Sequence, residues 1–266
     1  MRMPHFALAL IGLVGVGDAT SNSDVVWQWD RDTLACVLQQ ETSQPGEKIE
    51  IRRTPGVEAT ALRLIIPTHS EFRSVHSAPG EIALNPGGKI VAEVYQQPDP
   101  DKGYPYIATG TEDRTFMQRL SQANAVEISG PGIGPVKVTL KSAGAAVMAL
   151  GQCEDRRMRE WGMDPALLHS LRISPKPVKP LTERITALDY PHAAIAYSVQ
   201  GDVFIRLDVA ADGRVTSCKA LNAAQYRGFE YAACDELRGA RFRPAIDADG
   251  HAVSAPYIFE IKFQLR

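Results

Sequence analysis

Two stretches near the end of the chain alternate in polarity with a period of two, and this pattern constrains the fold more than any other feature. Val203, Ile205, Leu207 and Val209 alternate with Phe204, Arg206 and Asp208, while Tyr257, Phe259, Ile261, Phe263 and Leu265 alternate with Glu260, Lys262 and Gln264. Successive strand side chains face opposite sides, so each stretch is a strand with one buried face. Asp212 and Gly213 follow the first stretch and supply the positive backbone angles of a tight hairpin, which predicts an antiparallel return over 214–220. Tyr190 and Pro191 open a short helix over 192–197, because proline is well tolerated at the first helical position. Phe229, Ala233 and Leu237 recur at fourfold spacing within 226–238, and Gly239 stands where a helix would stop. Residues 186–266 are thus expected to form a small α+β domain with helices packed on an antiparallel sheet.

The upstream sequence reads differently. Apolar runs of strand length lie at 34–38, 49–51, 61–66, 81–84, 89–95, 125–128 and 136–140, separated by turn-forming clusters. The glycine- and proline-rich 129–135 joins the last two as a hairpin. It lacks the third glycine of a dinucleotide loop and the lysine and hydroxyl of a phosphate loop. Helices are predicted at 115–123 and 142–150. Residues 20–154 are therefore expected to be a β-rich, sandwich-like domain. From 155 to 185 comes a connector: a charged string over 154–160, a helix from 164 to 172 capped by Asp164 and opened by Pro165, and then Pro175, Pro177 and Pro180 interleaved with Lys176 and Lys179. Three prolines in six residues favour an extended, semi-rigid spacer of about 3 Å per residue, roughly 20 Å in all.

Lys plus Arg number 29 and Asp plus Glu 31, a net charge of -2, so no basic excess exists to hold a nucleic acid. At the amino terminus Arg2 precedes an apolar run over 6–17, and small residues follow to Ala19, the layout of a signal peptide over 1–19. A spanning helix needs about 20 apolar residues; retention of this run as an inner-membrane anchor is the alternative. Export implies an oxidising compartment, where Cys36, Cys153, Cys218 and Cys234 are expected as disulfides. Four cysteines allow three pairings, and the division into two domains favours Cys36 with Cys153 and Cys218 with Cys234.

Signals for chemistry are weak. His69–Ser70, His76–Ser77 and His169–Ser170 are sequence neighbours, but adjacent strand residues point apart, and no Gly-x-Ser-x-Gly elbow accompanies them. His69 and His76 lack the context of a zinc site. Asp99 with Asp101, and Asp247 with Asp249, lie in turn sequences and read as turn formers. Trp27, Trp29 and Trp161 read as core or domain-contact residues before they read as a ligand surface. No catalytic residue, metal or cofactor is assigned; an enzyme with its site in the first domain is a competing class.

The order helix, strand, Asp-Gly hairpin, strand, helix, Phe-x-Pro-Ala, terminal strand resembles the carboxy-terminal domain of TonB proteins. The resemblance rests on Tyr190-Pro191, Gly201-Asp202-Val203, Asp212-Gly213-Arg214-Val215, Ala240 to Ala245 with Phe242 and Pro244, and the strand from Tyr257 to Phe263. The first domain is faintly similar to small exported β-sandwich proteins of the invasion-associated locus B type. The TonB resemblance implies a periplasmic module that binds an outer-membrane TonB-dependent receptor, or another envelope protein, by accepting a peptide as an added strand. The implied partner-binding edge is Tyr257, Ile258, Phe259, Glu260, Ile261, Lys262, Phe263 and Gln264. Occupation of that edge within the protomer or by a homodimer is the contrary expectation. Contact with a membrane would be indirect, and energy transduction would require the amino-terminal run to be retained as an anchor.

Overall fold

The computed structural model describes residues 27–30, 34–57, 60–65, 76–98, 105–130, 133–186, 189–222 and 227–265. The proposed signal peptide, His69, Asp99, Asp101 and the side chain of His76 lie outside the described residues. The first architectural unit is an antiparallel sheet with nine described strands: β1 (Gln28–Asp30), β2 (Cys36–Glu41), β3 (Lys48–Arg53), β4 (Thr60–Ile65), β5 (His76–Asn85), β6 (Gly88–Pro98), β7 (Pro105–Thr111), β8 (Ala125–Gly130) and β9 (Ile133–Thr139), in the order β1-β2-β3-β4-β7-β6-β5-β8-β9. Alternation drives it. Leu38, Ile51 and Leu62 face one another across β2, β3 and β4, and Ile49, Leu64 and Ile107 form the adjoining row, all buried.

The sheet curls until its ends meet. The buried Gln40 side chain donates to the Thr139 carbonyl and accepts from the Lys141 amide, each at 2.8 Å, and the Trp27 indole donates to the Lys141 carbonyl at 2.6 Å. The sandwich-like reading thus takes the form of one sheet folded over its own core. Helices α1 (Phe116–Gln122) and α2 (Ala143–Glu160) close that core with Phe116, Leu120, Ala146 and Leu150. Cys36–Cys153 ties β2 to α2, with the Cα atoms 5.9 Å apart.

The charged string assigned to the connector is the second half of α2. Cys153, Glu154 and Met158 continue its buried stripe, while Asp155, Arg156, Arg157, Arg159 and Glu160 form ion pairs at i,i+3 and i,i+4 on the wet side. After α3 (Pro165–Ser170), capped by Asp164 as its sequence implies, the Pro-Lys stretch keeps Lys176 and Lys179 exposed, and part of it pairs with a later strand. Lys176–Pro177 form β10, antiparallel to β13 (Phe242–Arg243), and the Val178 amide donates to the Arg241 carbonyl at 2.8 Å. Proline favours the extended geometry predicted for it, and the intervening N–H groups find acceptors along the chain opposite.

The last part follows the predicted order: α4 (His192–Ala196), β11 (Gly201–Val209), β12 (Val215–Ala220), α5 (Arg227–Leu237), the short strands β13, β14 (Ala245–Ile246) and β15 (Ala252–Val253), and β16 (Ala255–Phe263). β12, β11 and β16 make an antiparallel sheet in that order. Phe229, Ala233 and Leu237 of α5 pack on the face carrying Val203, Ile205, Leu207, Ile261 and Phe263. Cys218–Cys234 ties β12 to α5 at a Cα separation of 5.6 Å. The class is α+β.

A candidate partner-binding edge

β11 reveals which way the peptide groups of β16 point. The Phe204 amide donates to the Asn222 side chain at 2.9 Å and its carbonyl accepts from the Leu221 amide at 2.7 Å. The carbonyls of Asp202 and Asp208 accept from Asn222 and Thr216 on the same side, at 2.8 and 3.0 Å. Even-numbered residues of β11 therefore turn their peptide groups towards β12, and odd-numbered residues towards β16. Val203, Ile205 and Leu207 oppose Ile261, Phe259 and Tyr257, so the odd residues of β16 exchange hydrogen bonds with β11. Ile258, Glu260 and Lys262 aim theirs at the open border, where no partner is found among the described residues. Pro256 has the same orientation but no N–H, so the row of donors starts at Ile258.

The eight residues implied as a binding edge therefore divide. Three carry free backbone groups, Tyr257, Phe259, Ile261 and Phe263 face the α5 core, and Gln264 lies beyond β16, exposed. The opposite border, β12, is shorter, and the Ala220 amide there is taken by the Glu230 carboxylate at 2.9 Å.

The second face of this sheet is covered around Phe204 and Ile258. Phe204 and Ile258 pack with Met158, Trp161 and Met163 from the end of α2 and the turn after it. Arg206 donates to the carbonyls of Trp161 and Gly162 at 2.8 and 2.9 Å and is held by Asp208 at 2.7 Å. Trp161 is thus a contact between the two units, in keeping with the packing role expected of it; Trp27 packs on the first core and Trp29 is exposed.

Two cavities open beside β16, each of about 390 Å³. Pro256, Tyr257 and Ile258 line the first; because consecutive side chains face opposite ways, a cavity touching all three sits at the strand's border. Its other walls include Pro175, Lys176, Pro177 and Pro180, and Gly56, Val57 and Glu112. Glu260 lines the second, across from Arg52, Ala61, Glu93 and Gly110. Burial holds the Tyr257 phenol above its ordinary pKa, and Glu112 pushes the same way. Glu112 is 3.9 Å from Lys176, and Glu260 is 3.8 Å from Lys262. Nothing in the sequence pointed to Gly56, Val57, Glu93 or Glu112, which reach β16 only through tertiary packing.

The residues carrying the TonB resemblance build this domain and position the strand. Tyr190 stacks edge-on against Phe229 and Phe263, each 5.6 Å away, and donates to the Val199 carbonyl at 2.7 Å. Gly201 starts β11 opposite Phe263. Asp212 and Gly213 make the hairpin turn; Gly213 has φ +79°, and a Cβ there would stand 2.1 Å from the Phe242 carbonyl oxygen. Phe242 packs against Tyr257 at 5.1 Å, and Pro244 separates β13 from β14.

The other candidates do not converge on β16. His169 meets Asp155 at 2.8 Å on the surface. Asp247, Asp249 and His251 bring ligand-type atoms within 4.8 Å of one another, but Asp247 accepts from the His251 amide, as a turn former does. Among the described residues no helix is long and apolar enough to cross a membrane.

No curated protein matches this chain significantly. Residues 186–265 match the family described as Gram-negative bacterial TonB protein C-terminal, so this part of the chain is a TonB carboxy-terminal domain, an envelope-associated protein-interaction module.

Proposed function

We propose that the chain captures an extended segment of an outer-membrane receptor, or of another envelope protein, as a fourth strand on β16. The supporting observation is the row of unpartnered N–H and C=O groups at Ile258, Glu260 and Lys262 on the longer border of the sheet. The reading places the protein in the periplasm after removal of residues 1–19, and two disulfides accord with an oxidising compartment. Intact mass of the exported protein tests this directly: a mature start near residue 20 is expected, and a retained 6–17 run would instead favour the anchored transducer.

Proline provides a sharp test of the edge. Lys262→Pro removes one outward N–H and leaves the β11 ladder intact, whereas Ile261→Pro removes a bond to β11 itself. Crosslinking of the full chain in envelope extract should place partner peptides on residues 256–264. Lys262→Pro should lower their yield several-fold without shifting the unfolding midpoint, since one hydrogen bond is worth about 0.5–1.5 kcal/mol. Unchanged yield on the same residues would refute strand addition on β16.

A further inference from the structure

The open border of β16 faces a wall made by the other part of the chain. The two cavities beside it share Val57 and Glu112 as lining residues, so they adjoin; Pro256, Tyr257 and Ile258 line one and Glu260 the other. The wall meets the strand at Ile258: a Cβ at Gly56 would lie 3.1 Å from Ile258 Cγ1, and Val57 packs against the cluster that holds Ile258. Ile258 projects from the face of the sheet opposite α5, so that contact lies under the face, whereas its peptide groups point sideways to the border. The packing of Trp161 and Met163 on Phe204 and Ile258 fixes the wall's position relative to the strand.

A guest strand lying about 4.8 Å outside β16 would project its side chains alternately to the two faces. On the side of Tyr257 they would meet Lys176, Pro177 and Pro180. On the side of Glu260 they would meet a shallow floor of Ala61 and Gly110, paired across β4 and β7 and rimmed by the carboxylates of Glu93, Glu112 and Glu260; Arg52 is the cation among the lining residues there, while Lys176 and Lys262 pair with Glu112 and Glu260 at 3.9 and 3.8 Å and Ser77 donates to Glu93 at 2.6 Å. The Glu112–Lys176 pair is 76% and 59% exposed, so water screens it and an incoming cation displaces it at little cost.

We infer that the amino-terminal sheet is the second wall of the binding site and selects its guest: an extended protein segment that presents lysine or arginine to Glu93, Glu112 and Glu260 and apolar side chains to the proline strap. The inference rests on edge capture by β16. A second folded copy of the chain fits poorly here, because its own β16 is flanked by the same wall and strap, whereas a single extended segment can enter from the side.

A displayed library of random decapeptides, selected on the full chain, tests it. Enriched sequences should carry Lys or Arg at alternate positions. A synthetic peptide of the strongest sequence should bind the Glu93→Gln, Glu112→Gln double variant about tenfold more weakly than the wild type at low salt, and the difference should shrink at high salt. Both substitutions lie at surface positions, and an unchanged unfolding midpoint verifies that the fold is kept. Binding that is lost in Lys262→Pro but indifferent to the double variant, or selection without a basic bias, would overturn the second wall and leave edge capture standing. Binding indifferent to Lys262→Pro would overturn edge capture and the inference with it. A library that yields no binder, or a chain that sediments as a dimer through β16, would overturn the proposed guest.

Discussion

Glu154 has one of the least comfortable positions in the molecule. Its carboxylate is buried where α2 passes β3, and Arg53 meets it at 3.1 and 3.2 Å while also donating to the Thr60 hydroxyl at 2.9 Å. Loss of water raises its pKa above 4.5, and the Arg53 charge and hydrogen bond only partly oppose that. An acid whose pKa is higher folded than unfolded favours the folded state most when protonated. Its contribution is fully present below pH 4.5 and is lost as pH rises through the raised value. Glu154→Gln, which fixes a neutral acceptor beside Arg53, should therefore unfold with a shallower pH dependence above pH 4.5. Urea unfolding at a series of pH values checks this, and an equal slope in both proteins would contradict it.

At the scale of elements, the two disulfides hold helices to strands in both cores. Removing Cys218–Cys234, with a separation of 16 residues, as the double serine variant should lower stability by about 3 kcal/mol in the chain-entropy picture. Urea unfolding without reductant measures it. Most strands and helices were legible because their side chains obey one period: Val203 to Val209 show two, and Phe229, Ala233 and Leu237 show four. β7 escaped notice because Thr109 occupies an inward position with its hydroxyl bonded to the Glu93 carbonyl at 2.8 Å, and Gly110 follows it. A polar residue whose hydrogen bond is made inside the fold breaks the apolar alternation without breaking the strand. The pairing of the Pro-Lys segment is illegible in sequence for a related reason. Its composition fixes an extended shape, yet whether that shape lies in water or beside Arg241 and Phe242 depends on a surface that forms elsewhere. The implied edge at 257–264 was visible in sequence, but the division between its odd and even residues required the register with β11.

On the scale of the whole molecule, the two cores are joined by a third, smaller cluster around Trp161. Arg114 adds to the joint by donating to the carbonyls of Leu171 and Arg172 at 2.8 and 2.5 Å. Trp161→Ala should remove about 3–5 kcal/mol of packing. Its visible effect should be at the joint: limited proteolysis within 171–186 should accelerate several-fold while the disulfide-bonded cores remain protected. Equal cleavage rates would show that the joint does not depend on Trp161. The wall beside β16 also belongs to this scale, since Val57 and Glu112 are far from β16 in sequence and reach it only when the cores are docked.

The nine paired residues of β11 and β16 have a mechanical corollary. A tug on any strand laid along β16 acts parallel to the strands and across the hydrogen bonds, so it loads the whole β11–β16 ladder at once in shear instead of peeling it bond by bond. With a shorter run of bonds at the outer border, beginning only after Pro256, the guest should slip free before its host tears, making that border a mechanical fuse.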